Sequence, residues 1–159
     1  MIKHKYKRKY NCRLCKSKKL KIFYKYQNSP LCDEYLKKPK KQYFYPMTLQ
    51  ICQDCKFIQL NTVIEPSSIY DNYLYFTKSS ISLKNHFEKY AKEISSVLKI
   101  KKKMRVMDIG SNDGMLLSFF KKQGHEVFGV EPYKDASLSA NKNKIKTFNR
   151  YFDKKFVDD

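Results

Sequence analysis

The chain is 159 residues long with a formal net charge of +19, a length that allows one full domain or a small module joined to part of a larger one. No segment approaches the roughly 18 consecutive apolar residues of a membrane span, which argues against a membrane protein. The charge points towards nucleic acid, yet only Arg8, Arg13, Arg105 and Arg150 are arginine, the residue whose planar fork reads bases and phosphates, so a nucleic-acid partner is not expected.

Residues 1–11, MIKHKYKRKYN, have no apolar run behind them and are not a secretory signal. They read as a basic, frayed tail, and the expected residence is the cytoplasm. The lysines are spread along the whole chain, beside much Asn, Ile, Tyr and Phe. All five residue types come from A/T-rich codons, so coding bias accounts for the charge without any partner.

Residues 12–64 read as a zinc-binding module. Cys12-Arg13-Leu14-Cys15 and Cys52-Gln53-Asp54-Cys55 are two Cys-x-x-Cys pairs with 36 residues between them. Each pair can wrap a tight turn that points two thiolates at one ion, and two turns complete a tetrahedral site. A two-residue gap makes poor disulfide geometry in a reducing compartment. Neither pair opens a helix of the thioredoxin kind. Four cysteines leave no position for water, so the zinc is expected to be structural. Strands are expected over Leu20 to Tyr26, Gln42 to Ile51 and Phe57 to Leu60. A module below about 60 residues has a marginal core, and the metal would supply the missing stability. Cys32 has no partner and reads as a small buried or half-buried thiol. His4, His86 and His125 have no metal spacing and read as surface or packing residues.

Residues 65–81 form an aromatic connector, Ile69 to Phe76, in which Tyr73 and Tyr75 could place hydroxyls over a ligand site. From Ser82, a candidate N-cap, Leu83, Phe87, Ala91, Ile94 and Leu98 recur at helical spacing. Residues 82–159 continue with an apolar run, Met104 to Ile109, expected as a strand buried on both faces. A turn, Gly110-Ser111-Asn112-Asp113-Gly114, leads into a helix with Leu116, Phe119 and Phe120, which Gly124 closes. The second strand, Val127 to Val130, ends in Glu131. Pro132, a helix near Asp135 to Asn141 and a third strand at Ile145 to Phe148 follow.

In open α/β sheets, ligands bind at the carboxyl ends of the strands. A dinucleotide fingerprint needs Gly-x-Gly-x-x-Gly. Here Asn112 takes the middle place, and Asp113 would repel a phosphate. A cationic ligand fits better, and S-adenosylmethionine carries a sulfonium and an ammonium. Glu131 can take both ribose hydroxyls.

The chain also resembles a known family on Cys12-x-x-Cys15, Pro30-Leu31, Tyr45-Pro46-Met47, Cys52-x-x-Cys55, Ile58-Gln59-Leu60, Tyr73-x-Tyr75, Asp108 to Gly114 and Gly129-Val130-Glu131-Pro132. It is similar to the S-adenosylmethionine-dependent sugar C-methyltransferases that open with a zinc-binding domain. The likeness covers nearly the whole chain. It implies an α/β fold in which a small β-rich four-cysteine zinc module precedes the first part of a Rossmann-like methyltransferase sheet. It implies cofactor contacts from Asp108, Gly110, Asn112, Asp113, Gly114 and Glu131, and a substrate-side tyrosine at Tyr73 or Tyr75. The substrate implied is a nucleotide-linked deoxysugar, methylated on a carbon next to a ketone. That chemistry needs a base, and no residue here is a convincing one. Three strands stand where such a sheet has about six or seven, so either the chain is a fragment or its partner half lies on another polypeptide, and that missing half is expected to hold sugar and base. The alternatives are a non-catalytic zinc and cofactor-binding remnant, or a basic zinc-ribbon nucleic-acid binder.

Overall fold

Two hairpin-like cysteine turns and one strand–turn–helix–strand unit organise the chain, in a computed structural model that describes residues 4–70, 73–100 and 102–159. Residues 1–3 of the expected tail, and Asp71 and Asn72 of the expected connector, lie outside the described residues. The chain divides into two compact units, Met1–Asn72 and Tyr73–Asp159.

The first unit is built from β1 (Tyr6–Arg8), β2 (Leu20–Lys25), β3 (Thr48–Cys52), β4 (Ile58–Leu60) and β5 (Thr62–Ile64), followed by the single-turn α1 (Ser67–Tyr70). Strands β2-β3-β4 form an antiparallel sheet that carries Cys52 at one end. Strand β1 pairs antiparallel with β5, Tyr6 opposite Ile64. This corrects the expectation of a frayed tail over residues 1–11. The pairing runs for three residues of mixed Tyr, Lys and Arg, too short for any alternation to stand out, and the neighbouring Glu65 N–H bonds Lys5 O at 2.9 Å. Cys32 also departs from expectation, being exposed. It lies on the rim of a cavity of about 250 Å³ walled by Leu31, Tyr45, Met47 and Leu60.

The second unit runs α2 (Ile81–Val97), β6 (Arg105–Ile109), α3 (Met115–Lys122), β7 (Glu126–Val130), α4 (Lys134–Lys142), β8 (Lys146–Phe148) and α5 (Lys154–Asp158), after a short 3₁₀ turn at Thr77–Ser79. Strands β6, β7 and β8 are parallel and adjacent in that order. Ser80, not Ser82, caps α2, its hydroxyl accepting from Leu83 N–H at 3.3 Å. Two serines in the right place are indistinguishable by type alone. Gly124, at φ +89, stops α3 as expected.

Ala91 of α2, Leu117, Phe119 and Phe120 of α3, Ala140 of α4, Val127 and Ile145 pack into one core. All three helices thus cover the same face of the sheet. The expectation that β6 is buried on both faces is therefore corrected: its residues alternate, with Met107 42% and Ile109 55% exposed. An unbroken apolar run does not reveal which face is covered. Among the described strands β6 bonds only β7, so its other edge is open. No described helix is long and apolar enough to cross a membrane.

Candidate metal and methyl-donor sites

The four cysteines of the first unit converge. Their sulfurs all lie within 4.8 Å of one another, with Cys12 to Cys55 and Cys15 to Cys52 each at 3.6 Å. That is far longer than a disulfide bond. It is close to the roughly 3.8 Å edge of a tetrahedron with Zn–S bonds of about 2.3 Å. The donor set of four thiols fits zinc.

Both turns are made the same way. Cys12 N–H donates to Ser17 O at 2.8 Å and Lys16 N–H to Cys12 O at 3.0 Å; Cys52 N–H donates to Phe57 O and Lys56 N–H to Cys52 O, both at 2.9 Å. Lys16 and Lys56 take left-handed conformations at φ 66 and 64, and each ammonium folds back onto a carbonyl of its own turn. The turns aim backbone N–H groups at sulfur. Those of Cys55 and Asp54 hold the Cys52 thiol down at about 6, and those of Cys15 and Leu14 lower Cys12. Cys15 is pushed up to about 12, because the pull of its Ser17 hydrogen bond is outweighed by the Cys55 and Cys52 sulfurs and by burial. Gln59 locks the first turn to β4, accepting from Arg13 N–H at 2.8 Å and donating to Asn11 O at 3.2 Å.

In the second unit the turn after β6 has three positive φ values in five residues, Gly110 at 78, Asn112 at 49 and Gly114 at 74. Gly114 also lacks room for a side chain, since a Cβ would lie 2.9 Å from Ile145 Cγ2. Opposite Asp108 in the sheet is Gly129, where a Cβ would come within 2.2 Å of Ser111 Oγ. Glycine there lets the turn fold down over the strand ends. Ser111 Oγ is buried against it with no hydrogen-bond partner among the described residues.

The turn occupies its own donors. Gly110 and Ser111 N–H reach Val130 O at 2.8 and 3.3 Å, and Gly114 N–H reaches Ser111 O at 3.0 Å. Asn112 N–H donates to Glu131 Oε2 at 2.8 Å, Asp113 N–H to Asn112 Oδ1 at 2.9 Å, and Met115 N–H to Asp113 Oδ1 at 3.3 Å. Every backbone N–H from Gly110 to Met115 is thus taken. A pyrophosphate bound at this turn would need such groups free.

Glu131 is buried, and its Oε1 also accepts Tyr133 N–H at 2.8 Å. Each oxygen keeps a further lone pair for a ligand hydroxyl. Asp108, Gly110, Asn112, Asp113, Gly114 and Glu131 all sit on β6, on the turn or at the end of β7, at the carboxyl edge of the sheet. Tyr73 and Tyr75 lie near that edge: the Tyr73 ring is 6.4 Å from both Tyr75 and Tyr133. Sequence reasoning missed Ser111, Gly129 and Tyr133. Gly129 was the one available signal, a glycine inside a strand, which often marks a close backbone approach.

Burial, and then the neighbouring Glu131 charge, raise the Asp108 carboxyl above the usual range. A carboxyl raised on folding keeps its proton longer in the native state than in the unfolded chain. Stability therefore falls as pH rises from about 4 through the folded value. Asp108→Asn is expected to raise the melting temperature at neutral pH, with the gain fading below about pH 4. Thermal melts of both proteins across pH 3 to 8 check this; an equal gain at every pH would contradict it.

A family model described as "Putative zinc binding domain" matches residues 12–70, and one described as "Methyltransferase domain" matches residues 83–158. Among curated proteins, the "C-methyltransferase NovU" of Streptomyces niveus is 27% identical over 103 residues, 65% of this chain and 24% of the relative. The chain spans about a quarter of that relative's length. The PH0226 protein from Pyrococcus horikoshii OT3 aligns at a TM-score of 0.40 and 19% identity, over 46% of this chain and 34% of the other. The plantazolicin methyltransferase BpumL, solved in complex with SAH, aligns at 0.33 and 23%, over 41% and 26%. In this chain a zinc-binding domain thus precedes a methyltransferase domain, and the pair implies zinc and S-adenosylmethionine as its cofactors.

Proposed function

We propose that the chain is the donor-binding and zinc-bearing portion of an S-adenosylmethionine-dependent C-methyltransferase acting in a reducing, cytoplasmic compartment on a nucleotide-linked keto-deoxysugar. The observation that carries the donor assignment is the turn whose N–H groups, Gly110 to Met115, are all engaged inside the protein. A phosphate-bearing cofactor finds no free N–H in the turn itself, whereas S-adenosylmethionine has no phosphate to place. When bound, the cofactor supplies an electrophilic methyl group. Glu131 takes the ribose hydroxyls, the turn and Asp108 line the donor, and the four-cysteine zinc site keeps the first unit folded without touching the chemistry.

The acceptor assignment is supported by the likeness to a C-methyltransferase. A carbon nucleophile needs a base within hydrogen-bond reach. Neither histidine of the second unit fits: His86 is exposed on α2 and stacks on Tyr90, and His125 is buried with Nδ1 accepting Met104 N–H. We assign the base to a part of the enzyme outside these residues, which would extend the sheet from the open edge of β6 and cover Met107 and Ile109. Incubating the chain with donor and a nucleotide-linked keto-deoxysugar, alone and together with that further part, tests this by mass spectrometry. Methylated sugar is expected only when both are present. Product from the chain alone would contradict the division of labour, and no product from either would contradict the substrate.

A further inference from the structure

We propose that Asn112 and Asp113 are positioning residues: their side chains clasp the aromatic strap over residues 73–79 onto the donor turn and act on the site through that strap. The proposal deepens the donor reading above and rests on it for its functional consequence. Three hydrogen bonds make the clasp. Asn112 Oδ1 accepts Thr77 N–H at 3.0 Å, Asn112 Nδ2 donates to Tyr75 O at 2.9 Å, and Asp113 Oδ2 accepts Lys78 N–H at 2.9 Å.

These bonds engage both carboxylate oxygens of Asp113 and fill Asn112 Oδ1. Asn112 Oδ1 also takes Asp113 N–H, and Asp113 Oδ1 takes Met115 N–H at the start of α3. An amide oxygen has two lone pairs, and both of Asn112's are used. Asp113 is buried, as is Thr77. The acid therefore faces two backbone N–H groups, one on the strap and one at the start of α3. This adds a holding role to the electrostatic one the sequence suggests for Asp113. Asn112 adopts its left-handed conformation so that donor and acceptor both reach the strap, and Asn tolerates that region better than most residues.

The contacts close into a ring. Asn112 N–H binds one oxygen of Glu131, whose other oxygen binds Tyr133 N–H. The Tyr133 ring returns to the strap, edge-on to Phe76 at 5.7 Å and to Tyr73 at 6.4 Å. Lys78 adds a tie, its ammonium donating to Ser139 Oγ of α4 at 3.2 Å. Asn112 thus bonds both the acid proposed for the ribose and the segment that carries Tyr73 and Tyr75. Loosening the strap should be felt at Glu131.

The test pairs Asn112→Ala with Thr77→Pro, which removes the strap's N–H from one bond together with the buried Thr77 side chain and leaves the residues of the turn unchanged. Thr77 begins a 3₁₀ turn, where proline is tolerated, and Phe76 before it is already extended at φ −115 and ψ 129. Amide exchange on the ligand-free chain is expected to quicken about fivefold at Lys78 in both variants. Affinity for S-adenosylhomocysteine should fall about fivefold in each, and no further in the double variant, because both changes break the same link. If Thr77→Pro changes neither readout while Asn112→Ala loses the ligand, Asn112 touches the donor directly and the clasp is wrong. Additive losses in the double variant would overturn it equally. Failure of the wild-type chain to take up S-adenosylhomocysteine would remove the donor reading instead. Exchange at Lys78 then decides the clasp alone, and unchanged exchange in both variants overturns it.

Discussion

Stripping zinc from the folded chain is expected to unfold the first unit and leave the second standing. The reason is the poverty of the first unit's core. Its described buried apolar residues are Cys12, Leu31, Tyr45 and Cys52, and two of these are ligands. Its longest strand, β2, has six residues and lies largely exposed, with Phe23 and Tyr24 facing solvent. Burial on that scale cannot offset the entropy of ordering about 60 residues. Four metal–thiolate bonds can, as in other modules that are unfolded without zinc. The second unit has its own core over Ala91, Leu117, Phe119, Phe120, Val127, Ala140 and Ile145. Chelator titration followed by amide exchange should show protection lost across β2, β3 and β4 and kept across β6 and β7, with recovery on adding zinc. Cys52→Ser should behave like the chelated protein. Protection retained in β2–β4 after the metal is gone would show that the module does not depend on it.

Much of this arrangement is written locally in the chain. The two Cys-x-x-Cys pairs announce themselves because a four-thiolate site needs only two tight turns, and tight turns are local. The β6–α3–β7 unit is legible for the same reason: apolar runs, glycines and helical spacing all fall within about thirty residues. What cannot be read is where a residue's partner lies far away. Tyr6–Arg8 becomes a strand only because Thr62–Ile64 comes alongside it. Met107 and Ile109 look like core until the helices settle on the opposite face. Asp113 looks like a ligand carboxylate, and its second task, accepting Lys78 N–H from 35 residues away, is out of sight in the sequence.

The second large effect is expected at Glu131. Its two oxygens accept the backbone N–H groups of Asn112 and Tyr133, and the residue is buried. Glu131→Ala leaves both amides without an acceptor, at a cost of about 1–3 kcal/mol each. The turn should lose its hold on β7, the α4 end should fray at Tyr133, and the denaturation midpoint of the second unit should fall. Glu131→Gln keeps the size and one accepting oxygen, and should recover part of that loss. It places an amide N–H₂ against a backbone N–H, so recovery will be incomplete. Denaturant unfolding of the three proteins orders them; equal midpoints would mean that the carboxylate does not hold the turn.

The identity of the ligand at the carboxyl edge of β6 and β7 decides what the second unit does. Calorimetric titration of the zinc-loaded wild-type chain with S-adenosylhomocysteine, with NAD as the comparison and Glu131→Ala as the control, measures it directly. Binding of one S-adenosylhomocysteine per chain is predicted, absent with NAD and lost in Glu131→Ala. Uptake of NAD with none of S-adenosylhomocysteine would contradict the assignment of this turn to a methyl donor.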